Sequence, residues 1–455
     1  MNPFLEKFLS SLASSLASSS FSGKVQLAAL FGLYVWDYID ALETRSLASQ
    51  YEPFPIPSLD EAEFSPSLVS IVVPTVDWDE NLARNLLTWL RTRPLEVIFV
   101  TVVSAREELE KVLESPAILQ ATDYTGTTIR IATVQEANKR TQLCKGINLA
   151  EGQIICLADD DARWTSKQVM THLLAPFQDE DVGLVGGPIG SYVPPERRDS
   201  RIITPWEVAA LRIRSRRGPG MAAFFTADGS TNFTISGLTM FIRADIVKDP
   251  YFQYFFTHEL WGGIRQNTGD DSFITRFVLY QHLIPRSEDY VIPIRKWKLG
   301  VQLTPEAEVQ TSVLADSRFA AQSKRWYRSG LRLRLTCLLY QPGFREMWKE
   351  TPYMLRKMVG GMINPILTAI RIYLWCCIWV KFPQIATVWI LYVLSNWFSS
   401  LFGFYWRFPY CGTKIWAAMI ADHLYLVSDI YSYLTLSVES WSNRSSVGEG
   451  TTAIE

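Results

Sequence analysis

An uncharged run of 25 residues, from Phe382 to Trp406, is the feature that most limits how this chain folds. It contains no Asp, Glu, Lys or Arg, and about 20 apolar residues in a helix are enough to cross the hydrocarbon core of a bilayer. A water-soluble domain rarely uses a helix that is apolar on every side. The run therefore predicts a membrane-spanning helix, around which the rest of the chain has to be arranged.

Apolar stretches on both sides of this run predict two further spans. Gly361–Val380 is apolar except for Arg371, and Ile415–Val438 is apolar but carries Asp422 and Asp429. These two aspartates are seven positions apart and so lie near one face of a helix, which we expect to turn towards neighbouring helices rather than lipid. The C-terminal part of the chain thus predicts three spans.

Basic residues near the ends of these runs indicate the orientation in the membrane. Arg356 and Lys357 precede the first run, and Arg407 and Lys414 lie between the second and the third, whereas Lys381 lies on the opposite side. Lysine and arginine concentrate in cytosolic loops. The distribution predicts a multi-pass protein of the cell membrane whose catalytic domain faces the cytosol.

The two ends of the chain carry weaker signals. Residues 21–40 predict a helix that spans the membrane or lies on it. A secretory signal peptide is an alternative for the Ser/Leu/Ala-rich residues 1–24, although its cleavage would send the catalytic domain to the wrong compartment. Residues 51–66 contain four prolines and predict an extended linker. Three C-terminal spans would leave the glycosylation sequon at Asn443 outside the cell.

The middle of the chain predicts an α/β domain. Strand-length apolar runs alternate there with helical patterns. The strands are predicted at Leu68–Thr75, Glu96–Val103, Thr128–Val134 and Gln153–Asp159, and the helices at Asp79–Arg91, Ala105–Leu113 and Glu136–Glu151. Such alternation predicts a mainly parallel sheet that binds its ligand at the carboxyl ends of its strands, and Asp159 falls at such an end.

These patterns divide the chain into five predicted parts. They are an N-terminal membrane-associated helix with a linker (1–66), a cytosolic catalytic domain (67–315), interfacial amphipathic helices (316–357), transmembrane helices (358–440) and a polar tail (441–455). The formal net charge is −2. Because a nucleic-acid-binding protein normally shows a basic surface in its overall balance, we expect no nucleic-acid partner.

Three consecutive aspartates, Asp159, Asp160 and Asp161, follow the fourth predicted strand. Two carboxylates one residue apart suit a hard cation such as Mg²⁺ or Mn²⁺, which would neutralise a nucleotide diphosphate and make it a better leaving group. A solvated acidic turn is the structural alternative. Because adjacent aspartates repel one another unless something neutralises them, we favour a metal site at Asp159 and Asp161.

A second acidic pair, Asp270-Asp271, opens the helical pattern Ser272–Gln281. Helix capping is one explanation, because a carboxylate at a helix N-terminus accepts backbone N–H groups and suits the helix dipole. Capping accounts more readily for one aspartate than for two. We predict that Asp271 is a general base for an acceptor hydroxyl, with Asp270 or a dry environment offsetting the effect of the dipole on its pKa. Gly-Asp-Asp also occurs in RNA polymerases, but their basic channel has no counterpart in this sequence.

The segment Gln322-Ser-Lys-Arg-Trp326 has the pattern Q-x-x-R-W and lies in a stretch rich in cations. Arg325 is suited to hold a donor phosphate, and Trp326 offers a flat face to a sugar ring. The neighbouring cations, among them Arg328 and Arg332, also fit an interfacial amphipathic helix whose basic side chains contact lipid headgroups. A catalytic helix at the membrane surface is compatible with both properties.

The basic pair Lys139-Arg140 lies near the start of a predicted helix. Cations at that position are suited to contact the phosphates of a donor. A solvated pair of surface charges is the more common explanation when the two residues are considered alone.

Taken together, these motifs resemble the family 2 glycosyltransferases, in particular the processive membrane synthases of hyaluronan, chitin and cellulose. Within that family the chain is most similar to fungal type 2 glycosyltransferases related to hyaluronan and capsule synthases, over about residues 65–440. The resemblance rests on the opening strand ending in Pro74-Thr75, the basic pair, the Asp-x-Asp, Asp271 and Q-x-x-R-W. Ser236-Gly237 is similar to the small-residue turn on the family's acceptor side.

The resemblance implies a GT-A fold and an inverting transfer from a UDP-sugar to a polysaccharide that passes outward through the membrane helices. The implied donor-binding residues are Thr75, Asp77, Lys139, Arg140, Asp159 and Arg325, and the implied acceptor- or product-binding residues are Ser236, Gly237, Gln322 and Trp326. Many relatives read the uracil with an acid at the end of the second strand. Phe99–Ser104 carries none, which leaves Asp77 for that contact.

Two structural consequences and two other functions stay open at this point. The predicted spans are fewer than in some relatives, so a complete channel is expected to need a second copy of the chain. A non-processive transferase that places one sugar on a lipid carrier or a glycan has the same motifs. A catalytically silent membrane scaffold or transporter, with structural acidic clusters, is the alternative from another class.

Overall fold

The computed structural model describes residues 20–58, 60–78, 81–215, 218–284 and 295–438. The predicted features that fall wholly or partly outside these residues include three at the two ends of the chain. They are the alternative signal peptide, of which residues 1–19 are affected, the sequon at Asn443 and the polar tail 441–455.

A seven-stranded sheet forms the centre of the catalytic domain, in the order β11-β6-β8-β4-β1-β2-β3. β1 pairs in parallel with β2 and β4, β2 pairs in parallel with β3, and β8 is antiparallel to both β4 and β6. The strands are β1 Val69–Pro74, β2 Glu96–Val102, β3 Thr128–Val134, β4 Ile154–Ala158, β5 Ala162–Trp164, β6 Val182–Gly186, β7 Ile189–Tyr192, β8 Thr239–Arg243, β9 Leu260–Trp261, β10 Ile264–Arg265, β11 Lys298–Val301 and β12 Val309–Ser312.

Helices cover both faces of this sheet, which explains why every residue of β1 and β2 is buried. Ile71 and Val73 face a core that contains Trp89, whereas Val72 faces another that contains Leu143. The helices are α1 Phe21–Ser49, α2 Leu82–Leu90, α3 Arg106–Leu113, α4 Pro116–Thr125, α5 Lys139–Leu149, α6 Val169–Leu174, α7 Pro205–Arg214, α8 Gly218–Asp228, α9 Ala244–Lys248, α10 Pro250–His258, α11 Asp270–Tyr280, α12 Arg318–Leu339, α13 Phe344–Glu350, α14 Pro352–Lys381, α15 Pro383–Arg407, α16 Ile415–Ala421 and α17 Leu424–Leu434.

The structure confirms the predicted strand–helix alternation. The four predicted strands correspond to β1 to β4, each within one residue at either end, and the predicted helices correspond to α2, α3 and α5. A small second sheet, in the order β5-β12-β7, flanks the carboxyl end of β4. The sequence analysis did not predict this sheet, whose strands have only three or four residues each.

Three helices of the described chain, α1, α14 and α15, are long and apolar enough to cross a membrane. They comprise 29, 30 and 25 residues and include the predicted N-terminal helix and the first two predicted C-terminal spans. α1 and α14 are antiparallel, because Lys357 bonds to Asp40 near one end of the pair and Lys381 bonds to Gln26 near the other. α15 then returns towards the catalytic domain, where its residue Phe404 packs with Leu211.

The prediction of a third C-terminal span was wrong. Ile415–Val438 is divided at Asp422-His423 into the short helices α16 and α17, which pack against α7 and α12 of the catalytic part. Asp422 accepts hydrogen bonds of 2.8 Å from Nε and Nη2 of Arg212, and both side chains are almost fully buried. The carboxylate of Asp422 therefore faces protein rather than lipid, as expected. The segment that carries it, however, folds back onto the catalytic part instead of forming a span.

The expected contact of the α12 cations with lipid headgroups was also wrong for two of them. Arg328 and Arg332 are buried. Arg328 donates to the carbonyl of Val438, and Arg332 donates to the carbonyls of Leu436 and Val438 and to the side chain of Gln266. These cations therefore attach the end of the described chain to α12.

Candidate active site

The carboxyl ends of β1 and β4 and the N-terminus of α11 meet at one cleft of about 2110 Å³. Parallel strands place their ligand sites at this edge of a sheet. The predicted site residues that line the cleft are Thr75, Asp77, Lys139, Asp159, Asp161, Ser236, Gly237, Asp270, Asp271, Gln322, Arg325 and Trp326. The two acidic clusters and the Q-x-x-R-W helix, which are far apart in sequence, thus face the same space.

Lys139 is the central cation of this cleft. Its Nζ lies 2.8 Å from Oδ1 of Asp159 and 2.9 Å from Oδ2 of Asp270. Burial alone would lower the pKa of Lys139, but the two carboxylates outweigh it and raise this pKa. For Asp270 the two effects have the opposite directions. Burial favours the neutral acid and would raise the pKa, but the charge of Lys139 outweighs burial and lowers the pKa. One ammonium group therefore keeps the two acidic clusters together.

Asp271 lies beside this cluster at the start of α11. Its Oδ1 accepts the N–H of Ser272 at 2.8 Å and its Oδ2 accepts the N–H of Gly237 at 3.4 Å. Burial, and then the charge of Asp270, raise the pKa of Asp271 to about 6. A carboxyl group with this pKa is ionised at neutral pH and is still basic enough to accept a proton from a hydroxyl.

Gly237 allows the turn that precedes β8 to lie close to the start of α11. A β-carbon at this position would lie 3.3 Å from Oδ2 of Asp270 and 3.3 Å from Cβ of Asp271. The backbone of Asp159 donates to the carbonyl of Leu238 at 3.1 Å, which fixes the first acidic cluster beside the same turn. A side chain at this position would therefore require Asp270 or Asp271 to move slightly where the two clusters converge.

The aspartates that follow β4 have different environments. Asp160 is buried and accepts a 2.6 Å hydrogen bond from Thr75, so the Thr75 hydroxyl supports the acidic turn. Asp161 accepts a 2.7 Å hydrogen bond from Thr311 of β12. Burial, and then the charges of Asp159 and Asp160, raise the pKa of Asp161 to about 6. A divalent cation next to Asp161 would stabilise the ionised form of its carboxylate.

Asp159 and Asp161 fit a divalent cation through their chemistry, since Mg²⁺ and Mn²⁺ prefer carboxylate oxygens. Among the described residues, no group of three or more His, Cys, Asp or Glu side chains is arranged to hold a metal. The protein would therefore supply two carboxylates, and water and phosphate oxygens would complete the coordination, as is common for Mg²⁺.

Arg140 lies outside this site, contrary to its predicted contact with donor phosphates. Its side chain is buried and donates to Oε2 of Glu259 at 2.7 Å and to the carbonyls of Phe256 and Thr268. Its guanidinium also lies 5.2 Å from the ring centre of Phe256. These partners turn Arg140 into the protein interior, whereas Lys139 faces the cleft.

Sequence comparison identifies the family. The profile described as "Glycosyltransferase like family 2" matches residues 66–282. An NDP-glycosyltransferase of Aspergillus luteorubrus is 34% identical over 420 residues, which cover 91% of this chain and 97% of the relative. The chain belongs to the family 2 glycosyltransferases. It is therefore an enzyme, a glycosyltransferase that uses a nucleotide sugar.

Other comparisons agree with this assignment. A type 2 glycosyltransferase of Zymoseptoria tritici is 28% identical over 440 residues, covering 90% of this chain and 84% of the relative. A mannosyltransferase from Pyrobaculum calidifontis, solved in complex with GDP-Man and Mn²⁺, aligns with a TM-score of 0.50 and 13% identity, over 89% of this chain and 97% of that structure. The predicted GT-A fold and the predicted similarity to fungal type 2 glycosyltransferases are confirmed.

The structure of this family 2 glycosyltransferase adds two cleft residues that the sequence analysis missed. Thr311 bonds to Asp161 from the small second sheet. Arg214, at the end of α7, lines the cleft, and its guanidinium lies 5.1 Å from the ring centre of Trp326. Arg214 is visible in the sequence only as one of several arginines between residues 212 and 217. No motif spacing distinguishes it from its neighbours.

Proposed function

We propose that this enzyme transfers a sugar from a UDP-sugar to a growing cell-surface polysaccharide, with inversion at the anomeric carbon. The position of Asp271 carries the proposal: it is a carboxylate whose pKa is raised to about 6, in the same cleft as the Lys139 cluster and the Q-x-x-R-W helix. The acceptor oxygen forms a bond to the anomeric carbon as the bond to the diphosphate oxygen breaks. Asp271 takes the acceptor proton, and the nucleoside diphosphate leaves.

The donor would occupy the part of the cleft near β1 and β4. Asp159 and Asp161 would hold Mg²⁺ or Mn²⁺, which supplies charge neutralisation for the leaving diphosphate. Thr75 and Asp77 line the same end, and we assign the nucleobase contact to Asp77. We assign the contacts with the phosphates to the cations Lys139 and Arg325.

Ser236, Gly237, Gln322 and Trp326 would bind the acceptor. The N–H of Gly237 orients Asp271, and the indole of Trp326 offers an apolar face to a sugar ring. The cleft of about 2110 Å³ exceeds the roughly 300–1,000 Å³ typical of a site for one small ligand. This volume supports simultaneous binding of a donor and an extended acceptor, as a processive synthase requires.

We also propose that α1, α14 and α15 place the enzyme in the cell membrane, with the catalytic domain in the cytosol. Each of these helices has one end at the catalytic domain. The end of α1 and the start of α14 meet where the hydroxyls of Thr44 and Tyr353 are 3.0 Å apart. The end of α15 lies near Leu211. Export of the polymer through these helices, and a second copy of the chain to complete a channel, belong to the same hypothesis.

Transfer of one sugar to a lipid carrier or a glycan is the second candidate, because a cleft at the base of three apolar helices suits that reaction too.

Membranes containing the full chain would be incubated with radiolabelled UDP-sugars in the presence of Mn²⁺, and the products would be sized. We expect a ladder or a broad distribution of polymers. A product that carries a single added sugar would overturn the processive proposal and favour the second candidate.

A further inference from the structure

Side chains on one face of α2 bond to the backbone of the turn that carries the first acidic cluster. Asn85, Thr88 and Trp89 are spaced i, i+3 and i+4, so they lie next to one another on the helix. Nδ2 of Asn85 donates to the carbonyl of Asp160 at 3.1 Å. Nε1 of Trp89 donates to the carbonyl of Ala162 at 2.8 Å. Both acceptors belong to the turn itself or to the residues that follow it directly.

Thr88 uses both functions of its hydroxyl group in this arrangement. The hydroxyl donates to the carbonyl of Asn85 at 2.6 Å and accepts the N–H of Trp164 at 3.1 Å. The first bond orients the hydroxyl, because it leaves a lone pair of the oxygen for the second. The face of α2 therefore holds the backbone at three alternate positions, 160, 162 and 164.

These bonds are shielded from water. The exposed fraction is 2% for Asn85, 7% for Thr88 and 0% for Trp89. Burial of a polar group costs free energy unless the group is hydrogen-bonded. Packing of α2 on the sheet needs only apolar residues such as Leu86 and Leu90, which are fully buried in the same helix. The polar groups therefore indicate a specific role, which is to fix the position of the turn.

β12 holds the same turn from another side. β5 pairs with β12 in antiparallel fashion, with Ala162 opposite Thr311, and the hydroxyl of Thr311 donates to Asp161. Thus α2 fixes the backbone of the turn and β12 fixes one of its carboxylates. All of these bonds join protein groups, so they hold the turn in place before a cation binds. Asp159 and Asp161 are thereby kept as neighbours although their charges repel each other.

We propose that Asn85, Thr88 and Trp89 are positioning residues of the metal site. They keep the turn in the conformation that presents Asp159 and Asp161 to the cation. This inference rests on the metal role of these two aspartates in the proposed function. Among the described residues that line the cleft, none is one of the three residues of α2, so they act through the turn. A site with two protein carboxylates depends strongly on how well these are preorganised.

The test measures binding of Mn²⁺ to the purified full chain in detergent with saturating UDP, from the electron paramagnetic resonance signal of free Mn²⁺. Thr88→Val keeps the shape of the side chain and removes the acceptor of the Trp164 N–H. We expect it to raise the dissociation constant of Mn²⁺ by about tenfold, as loss of a supporting bond does. Thr88→Ser keeps the hydroxyl and should stay within about twofold of the native value.

Trp89→Phe tests a second bond, because it removes the N–H and keeps an aromatic ring. We expect the same loss of Mn²⁺ affinity. Trp297→Phe is the matched control, at a buried tryptophan next to the edge strand β11. It should lower the melting temperature and leave Mn²⁺ affinity unchanged. Asp161→Asn supplies the background from complexes of Mn²⁺ with UDP alone.

The outcomes separate this inference from the metal role on which it rests. Native Mn²⁺ affinity in Thr88→Val and Trp89→Phe, whatever their melting temperatures, would overturn the inference and leave the metal role intact. A native enzyme that binds no more Mn²⁺ than Asp161→Asn would overturn both. If Trp89→Phe fails to accumulate, the comparison of Thr88→Val with Thr88→Ser still decides the question, because only the serine retains the hydroxyl.

Discussion

Arg212 and Asp422 are 210 residues apart in the sequence and form a buried, two-pronged ion pair, with both N–O distances at 2.8 Å. Arg212 also donates to the carbonyl and the hydroxyl of Ser400 in α15. The pair therefore connects α7 of the catalytic domain with the apolar helix α15 and with the segment that folds back after it. Arg214, two residues later, lies in the cleft.

Removal of one partner of this pair should destabilise the protein. We expect Asp422→Leu to lower the free energy of unfolding by about 3–5 kcal/mol, because it leaves the Arg212 guanidinium buried without its counter-charge. Thermal unfolding in detergent would measure the loss. The double variant Arg212→Met with Asp422→Leu should recover part of it, and an additive effect of the two substitutions would contradict the pairing.

Substitution of the proposed base should stop transfer without affecting folding. For Asp271→Asn we expect kcat to fall by about 10²–10⁴-fold, the range typical of a lost general base. Radiolabel transfer would be compared at equal amounts of membrane protein. Asp123→Asn, at an exposed aspartate far from the cleft, is the matched control. Full activity of Asp271→Asn would show that another group accepts the proton.

The pH profile should show the raised pKa of Asp271. The base acts as a carboxylate, so a pKa of about 6 means that activity is full well above pH 6 and falls as pH drops through this value. An unperturbed aspartate, with a pKa of about 3.9, would keep its activity to much lower pH. Initial rates between about pH 5 and pH 8 decide between the two, and activity that stays full down to pH 5 would exclude a raised pKa at the catalytic base.

The metal proposal predicts that EDTA abolishes transfer and that Mn²⁺ or Mg²⁺ restores it. Thr311→Val removes the hydroxyl that donates to Asp161, and loss of such a supporting bond typically weakens metal affinity by about 10–100-fold. We therefore expect a higher Mn²⁺ concentration for half-maximal activity, with Thr125→Val as the control. Unchanged turnover in EDTA would refute the metal role of Asp159 and Asp161.

Substitution of the neighbouring residues Lys139 and Arg140 should affect different properties, namely activity for Lys139 and stability for Arg140. Lys139→Met removes the countercharge of Asp159 and Asp270, so we expect kcat/KM for the donor to fall sharply while the protein still accumulates. Arg140→Met leaves Glu259 with one arginine partner instead of two, and should lower stability with no change in the donor KM of the folded enzyme. An increased donor KM in Arg140→Met would restore its predicted role at the phosphates.

The sequence predicted those parts of the structure that depend on local pattern. The alternation of strands and helices predicted that Asp159 lies at the end of a strand. In the structure the two acidic clusters and the Q-x-x-R-W helix line the same cleft. The errors concern residues whose partners lie far away in the chain. Arg140 differs from Lys139 because Glu259 is close to it, and Ile415–Val438 folds back because Asp422 meets Arg212. Neither partner can be inferred from local spacing.

The antiparallel packing of α1 on α14 has a consequence for the synthesis of the protein. Asp37, Asp40 and Glu43 of α1 are paired with Arg371, Lys357 and Arg356 of α14, and Asp40 precedes Lys357 by 317 residues. At the roughly 5–20 residues per second of translation, α1 waits on the order of 15–60 s for these cations. During that time three acidic side chains of α1 lack their partners on α14. The ion pairs of α1 are thus incomplete until the ribosome has synthesised α14.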